Sequence, residues 1–216
     1  MTAPTGGPGR PGASPDRSWQ RWAVASSLVE ALADEDWGVD DLVALTGAYT
    51  PGWVHRLPAP AHWQRLDFPD AESVVAPARV LVWGPRGGGG WEATDTLQVY
   101  GYTGIPSFGD VLGSTARSLD DLDAHDMRTG LLAMPSVPGV AAERSTAVLT
   151  VAGRRILTQL TNYVAASTTP HAGRLIVHSL SVAAGHPELA EDLTALTRSV
   201  QEAFTALVAA EARGVG

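Results

Sequence analysis

The chain has 216 residues, no cysteine and a formal net charge of −8 at neutral pH. Without cysteine, disulfides, thiolate metal sites, cysteine nucleophiles and cysteine-linked lipids are excluded. All 15 basic residues are arginine, which removes Schiff-base and P-loop lysines, and the acidic balance argues against a nucleic-acid binder, which needs a basic stripe to displace counterions.

In chain order, the first seventeen residues, MTAPTGGPGRPGASPDR, are rich in proline and glycine and carry no large apolar side chain after Met1. They bury too little surface to offset ordering entropy and are expected to form a flexible tail over 1–17. They lack the apolar run of a signal peptide, and no later window is long and apolar enough to span a bilayer, so the expected location is cytoplasmic. The spacing of Trp22, Ala25, Val29 and Leu32 predicts a helix opening at Ser18. Val39, Leu42, Val43 and Leu45 predict a second, shorter helix over Asp40–Thr46, so that 18–52 reads as a helical extension. Pro51, Pro58 and Pro60 then mark an extended connector. The main domain is assigned to 53–211.

Within that domain, Arg79–Trp83 (RVLVW) reads as a buried strand. A second strand from Thr94, after the loop GPRGGGG, completes an antiparallel hairpin. Ser107, with Asp110 three residues on, opens a helix whose face is Phe108, Val111, Leu112, Thr115, Leu119 and Leu122. Three strands follow at Thr146–Val151, Arg155–Ala165 and Arg174–Ala183. Pro187 starts a final helix, with Leu189, Leu193, Leu196, Val200, Phe204 and Leu207 as its sheet-facing stripe. The order β-β-α-β-β-β-α predicts an α+β fold, an antiparallel sheet covered by two helices.

Three stretches carry a resemblance: the proline-flanked LPAPAHWQRL (Leu57–Leu66), the strand ending Gly101-Tyr102-Thr103-Gly104 just before a helix, and AGRRILTQLTNYVAAS…GRLIVHSLSVAAGHPEL (Ala152–Leu189). In pattern and order, from Leu57 to Ala209, the chain resembles the actinobacterial LpqN/LpqT-like family. The resemblance implies a Mog1/PsbP-like fold and a non-enzymatic binding or accessory role, and it supplies no catalytic residues. Many members of that family are secreted lipoproteins, whereas this chain shows no lipobox cysteine. Arginine-only basic residues and alanine-rich helices fit a high-GC bacterial genome and an actinobacterial-type cell.

Among candidate chemical groups, His178 alternates with Ile176, Leu180 and Val182 and reads as a hydrogen-bonded core histidine. His186 is placed against the turn before Pro187, His171 in a solvated turn, and His55 and His62 in the connector. The run Asp120, Asp121, Asp123, His125, Asp126 has a metal-like composition but no EF-hand spacing. Either a cation relieves the repulsion at that helix end or the end frays. No metal or cofactor is assigned.

Seven tryptophans against three phenylalanines point to aromatic contacts, since tryptophan is enriched at binding hot spots. Trp37, Trp63 and Trp83 are read as sealing loops onto the core. Trp53, Trp91, Tyr100, Tyr102, Arg154, Arg155 and Tyr163 are the candidate binding residues, with the tyrosines and arginines offering broad faces with hydrogen-bonding tips. The expected function is a non-catalytic one, binding a protein partner or a hydrophobic small molecule. The alternatives are a cytoplasmic chaperone or adaptor for a secreted protein, and a small hydrolase or isomerase using His178 or His62 as base, with Asp67 the nearest carboxylate to His62 in sequence.

Overall fold

Four long segments with apolar alternation pair in succession and set the frame of the molecule. In the computed structural model, which describes residues 29, 38–66, 77–85, 91–111 and 113–214, these are β4 (Ala93–Gly104), β6 (Val140–Val151), β7 (Arg154–Ala165) and β8 (Gly173–Ala183). With β1 (Val39–Ala44), β2 (Gln64–Leu66), β3 (Arg79–Trp83) and β5 (His125–Leu131) they form one antiparallel sheet of order β2-β3-β4-β8-β7-β6-β5, and β1 pairs with the distal end of β4. The expected α+β class with an antiparallel sheet is what the chain forms. The expected tail, most of the helix expected from Ser18, Trp37, Asp67, the run at 86–90 and Leu112 lie outside the described residues.

Two local expectations are corrected. Val39–Ala44 is a strand, not a helix, so the sheet reaches back before residue 53. Its pairing slips between Asp40 and Val43, and Asp41 takes a left-handed φ of 56°. The extra residue of this bulge turns Leu42 and Ala44 onto the core while Val43 faces out. A bulge between two period-2 segments spaces the apolar residues in a way that imitates helical periodicity. The connector is also not extended throughout. Between its prolines a short helix, α1 (Gly52–Arg56), buries Val54, and β2 follows.

The segment after β4 forms two short helices, α2 (Phe108–Val111) and α3 (Ser114–Asp120), in place of one. Gly113 separates them at a φ of 87°, a conformation that glycine adopts without a Cβ penalty. The last helix, α4 (Ala190–Gly214), follows a 3-10 turn at Pro187–Leu189, and Leu189, Leu196, Val200 and Phe204 of the expected stripe are buried, joined by Val208.

The sheet thus has two covered faces. On one, Tyr100, Tyr102, Leu160, Leu175 and Val177 pack with Val29, β1 and α2. On the other, α4 lies over Leu81, Leu97, Val99, Ile176 and Leu180, and reaches β7 through Tyr163, whose ring is 5.2 Å from that of Phe204. A helix about 10 Å wide spans two or three strands spaced about 4.8 Å apart. It cannot cover the whole of this sheet.

Candidate binding groove

The covered part of the α4 face contains a buried charge cluster. Arg79 Nη2 donates to Asp95 Oδ2 at 2.7 Å, and His178 Nε2 lies 2.6 Å from Asp95 Oδ1, with all three side chains at or below 1% exposure. These residues share a face because Arg79 and His178 both stand opposite Leu97, two residues from Asp95 on β4. Burial pushes the Asp95 carboxyl up, but His178 and Arg79 outweigh it and hold its pKa below the ordinary value. His178 Nδ1 has no partner, so an imidazole that donates from Nε2 and leaves Nδ1 bare satisfies the geometry. His178 is therefore a hydrogen-bonded core residue, as its alternation predicted. Sealed from solvent, it has no route to a substrate.

Beyond α4 the same face opens. A groove of about 790 Å³ runs along the helix between its flank (Thr197, Gln201 and Thr205) and the strand residues Gln159 and Arg144. Next to it, and sharing Gln159-side and Leu193-side walls, is a second lobe of about 350 Å³ lined by Val148, Leu157, Leu180 and Val182. The flank is built by i, i+4 spacing: Leu193, Thr197, Gln201 and Thr205 form one row beside the buried stripe. The floor follows from register, since Arg128 pairs with Thr146, Thr146 with Gln159, and Leu157 with Val148. Gln159 Nε2 donates to Thr197 Oγ1 at 3.0 Å and ties floor to wall. Leu157 is 48% exposed in this floor, although it sits mid-sheet.

The ends of the groove differ in character. Leu157, Val182 and Leu193 make one end apolar. At the other, Arg144 on β6 donates from Nε to Thr161 Oγ1 at 3.3 Å, while its Nη2 is buried with no partner. Tyr163 lies beside it, its buried hydroxyl next to the Arg144 guanidinium. Burial pushes the Tyr163 phenol up, and the neighbouring Arg144 charge and a hydrogen bond from its guanidinium pull it part of the way back. Arg198 and Glu202 also line the Arg144 end, whereas Arg128 and Asp126 line the lobe that holds Leu157. None of Arg128, Arg144 and Arg198 forms an ion pair among the described residues.

The seven candidate binding residues do not converge on one site. Trp91, Arg154 and Arg155 lie at the sheet end where β4 and β7 begin, and there Arg154 pairs with Glu92. Trp53 is half-buried on α1 against the cluster under α4. Tyr100 and Tyr102 are wholly buried on the opposite face, where Tyr102 Oη donates to the Ala165 carbonyl at 2.9 Å. Both tyrosines, expected as binding residues, have their rings in the core. Tyr163, equally buried, is the one of the seven that neighbours a groove residue, Arg144, without lining the groove itself.

The remaining histidines and the aspartate run are superficial. His186 is bonded to Glu188 Oε1 at 2.8 Å and lies 3.3 Å from Glu92 Oε2, edge-on to Trp83. The Glu188 bond, opposed by partial burial and assisted by Glu92, raises its pKa. Trp63 Nε1 donates to Asp192 Oδ2 at 2.9 Å and anchors the start of α4. Among the described residues no three His, Asp or Glu side chains are grouped to hold a metal ion, and no helix is long and apolar enough to cross a membrane.

Sequence reading missed Arg144, Arg198, Arg128, Gln159 and Leu157. One signal was present: Ala142-Arg144-Thr146-Val148 alternates with buried residues, so a charge sits on an inward-facing position of a long strand.

Searches of protein families and of curated proteins give no match to this chain. Four chains of solved structures match it. One is LpqN of Mycobacterium tuberculosis, described as involved in cell envelope biogenesis. The two share 17% identity over 68% of this chain and 79% of that one, with a TM-score of 0.48.

Proposed function

We propose that the protein is a non-catalytic binding or accessory protein that holds a hydrophobic ligand in the groove beside α4. One observation carries this reading: α4 leaves part of the sheet uncovered, and the floor there exposes Leu157 beside a cavity instead of packing it. A half-exposed leucine in mid-sheet offers apolar surface that a bound ligand would remove from water. The enzyme alternative is weakened at His178, which is sealed against Asp95; His62 is an exposed turn residue with a φ of 70°, and Asp67 lies outside the described residues. The resemblance to LpqN/LpqT-like proteins, where a non-enzymatic role is expected, points the same way.

A neutral solvatochromic dye such as Nile red tests the groove. Its emission is expected to rise with the wild-type chain and to fall back with Leu157→Asp and Leu193→Asp, while Val43→Asp, an exposed apolar position elsewhere, leaves it unchanged. Equal enhancement by all four proteins would put the dye somewhere else and end the reading.

A further inference from the structure

Resting on that reading of the groove, we infer that its ligand is a compact, neutral, apolar molecule that lies across the strands over Leu157, and that Gln159 bonded to Thr197 is the fence that excludes longer chains. The strand register sorts the groove floor into rows that cross the sheet. One row, Val148, Leu157 and Val182, is apolar. The next, two residues along each strand, is Arg128, Thr146 and Gln159, and it stays polar until it meets Leu180. On the other side of the apolar row stand Thr150 and Arg155. The apolar floor is therefore a single row, about 7 Å wide at 3.4 Å per residue and about 10 Å long at a strand spacing near 4.8 Å. Leu193 of α4 closes one end, and the edge strand β5, where His125 pairs with Val148, closes the other.

The helical wall repeats this order. Leu193 lines both lobes. One turn on, about 6 Å along the axis at 1.5 Å per residue, stands Thr197, a step close to the spacing of the rows. Gln159 Nε2 donates to Thr197 Oγ1 at 3.0 Å, so polar floor and polar wall meet where the two lobes adjoin. A chain extended past that bond covers Thr146, Gln159 and Thr197 with methylene groups and offers them no hydrogen bond, which costs free energy. A molecule confined to the apolar row avoids that cost.

Size and charge agree with this. The Leu157 lobe, about 350 Å³, is roughly twice the 150 Å³ cavity that takes benzene, which is about the size of a two-ring compound. Its lining holds a cation, Arg128, and an anion, Asp126, so it favours neither sign of charge in a ligand.

Titration with naphthol, naphthoate and naphthylmethylammonium, and with the straight-chain alcohols from hexanol to dodecanol below their solubility limits, tests the inference. Naphthol is expected to bind more tightly than its two charged relatives. Alcohol affinity is expected to rise about two- to fourfold per added methylene and then to level off before dodecanol. In Gln159→Leu the rise is expected to continue to dodecanol, while unchanged naphthol affinity shows that the variant is folded. Thr197→Val, which removes the same bond from the helix side, should move the break in the same direction. Leu157→Asp is expected to weaken naphthol and the alcohols alike. An uninterrupted rise to dodecanol in the wild-type chain would overturn the compact ligand and leave the groove reading standing. A break that stays in place in both fence variants would overturn the role of Gln159 and Thr197, and tighter binding of either charged probe would overturn neutrality. Failure of naphthol and every alcohol, with Nile red still reporting Leu157, would overturn this inference alone. Failure of Nile red as well would overturn the groove reading with it.

Discussion

One face of the sheet holds two sets of charges a few strands apart, and they are arranged in opposite ways. Under α4, Arg79, Asp95 and His178 are buried together, and each bonds another. Beside α4, Arg144 is half-buried, its guanidinium spends one bond on a threonine, and Nη2 has no partner. The first cluster holds its charges in mutual bonds, leaves only Arg79 Nε and His178 Nδ1 without partners, and has no opening to admit a ligand. In the second, Arg144 lines a cavity while its Nη2 is enclosed beside Tyr163. Burial of a charge, or an unpartnered buried nitrogen, therefore does not by itself mark a functional site; what separates the two clusters is that one borders a cavity.

The contrast is broken most severely at its closed end. Asp95→Ala leaves Arg79 uncompensated and His178 Nε2 without an acceptor, and is expected to cost about 3–5 kcal/mol in urea denaturation. Arg144→Ala removes a group that supports little of the fold and is expected to change stability by less than about 1 kcal/mol. Comparable losses in the two variants would erase the distinction. The Asp95 pKa is lower in the folded chain than in the unfolded one, so its stabilisation is full above about pH 4 and is lost as pH falls through the folded-state value. The acid limb of the stability curve should flatten when Asp95 is replaced.

A smaller effect separates the tyrosines. Tyr102→Phe removes the bond to the Ala165 carbonyl and is expected to cost about 1 kcal/mol in the same assay. Tyr100→Phe removes a buried hydroxyl that has no partner and should be neutral or stabilising. A loss in Tyr100→Phe equal to that in Tyr102→Phe would mean that its hydroxyl is satisfied in solution.

The smallest expected effect is at the surface. The raised pKa of His186 stabilises the fold below its unfolded value near pH 6.5, a contribution that disappears as pH rises through the folded value. His186→Gln should lower Tm slightly at pH 5.5 and not at pH 8.5. A pH-independent change would assign the residue to packing against Trp83 alone.

Much of the frame was legible because its strands are long and covered. Arg79–Trp83, the two strands around Ala152-Gly153 and the α4 stripe could be read from apolar period, since burial on a face enforces that period. The elements that were misread or missed are those where burial is weak or register shifts. At β1, Asp41 breaks the alternation. β2 has three residues, and β5 is exposed along its length with a register shift between His125 and Arg128. The candidate site was hardly legible. Arg144, Gln159 and Leu157 become neighbours through strand register, and Arg198 joins them through the placement of α4; neither relation is written in local sequence.

The short helix α3 shows what such long-range dependence entails. Both oxygens of Glu143 accept from the Gly113 N–H, at 2.7 and 2.8 Å, and Thr115 Oγ1 donates to one of them at 2.7 Å. The N-terminus of α3 is thus held by a residue of β6, 30 positions later in the chain. Seven residues are too few to sustain a helix alone in water. Formation of α3 must therefore wait for β6, and during synthesis the segment leaves the ribosome before the strand that organises it. If that dependence places α3 late on the folding path, changes at Glu143 are expected to act on the rate of unfolding more than on the rate of folding, which chevron kinetics of Glu143→Ala would check.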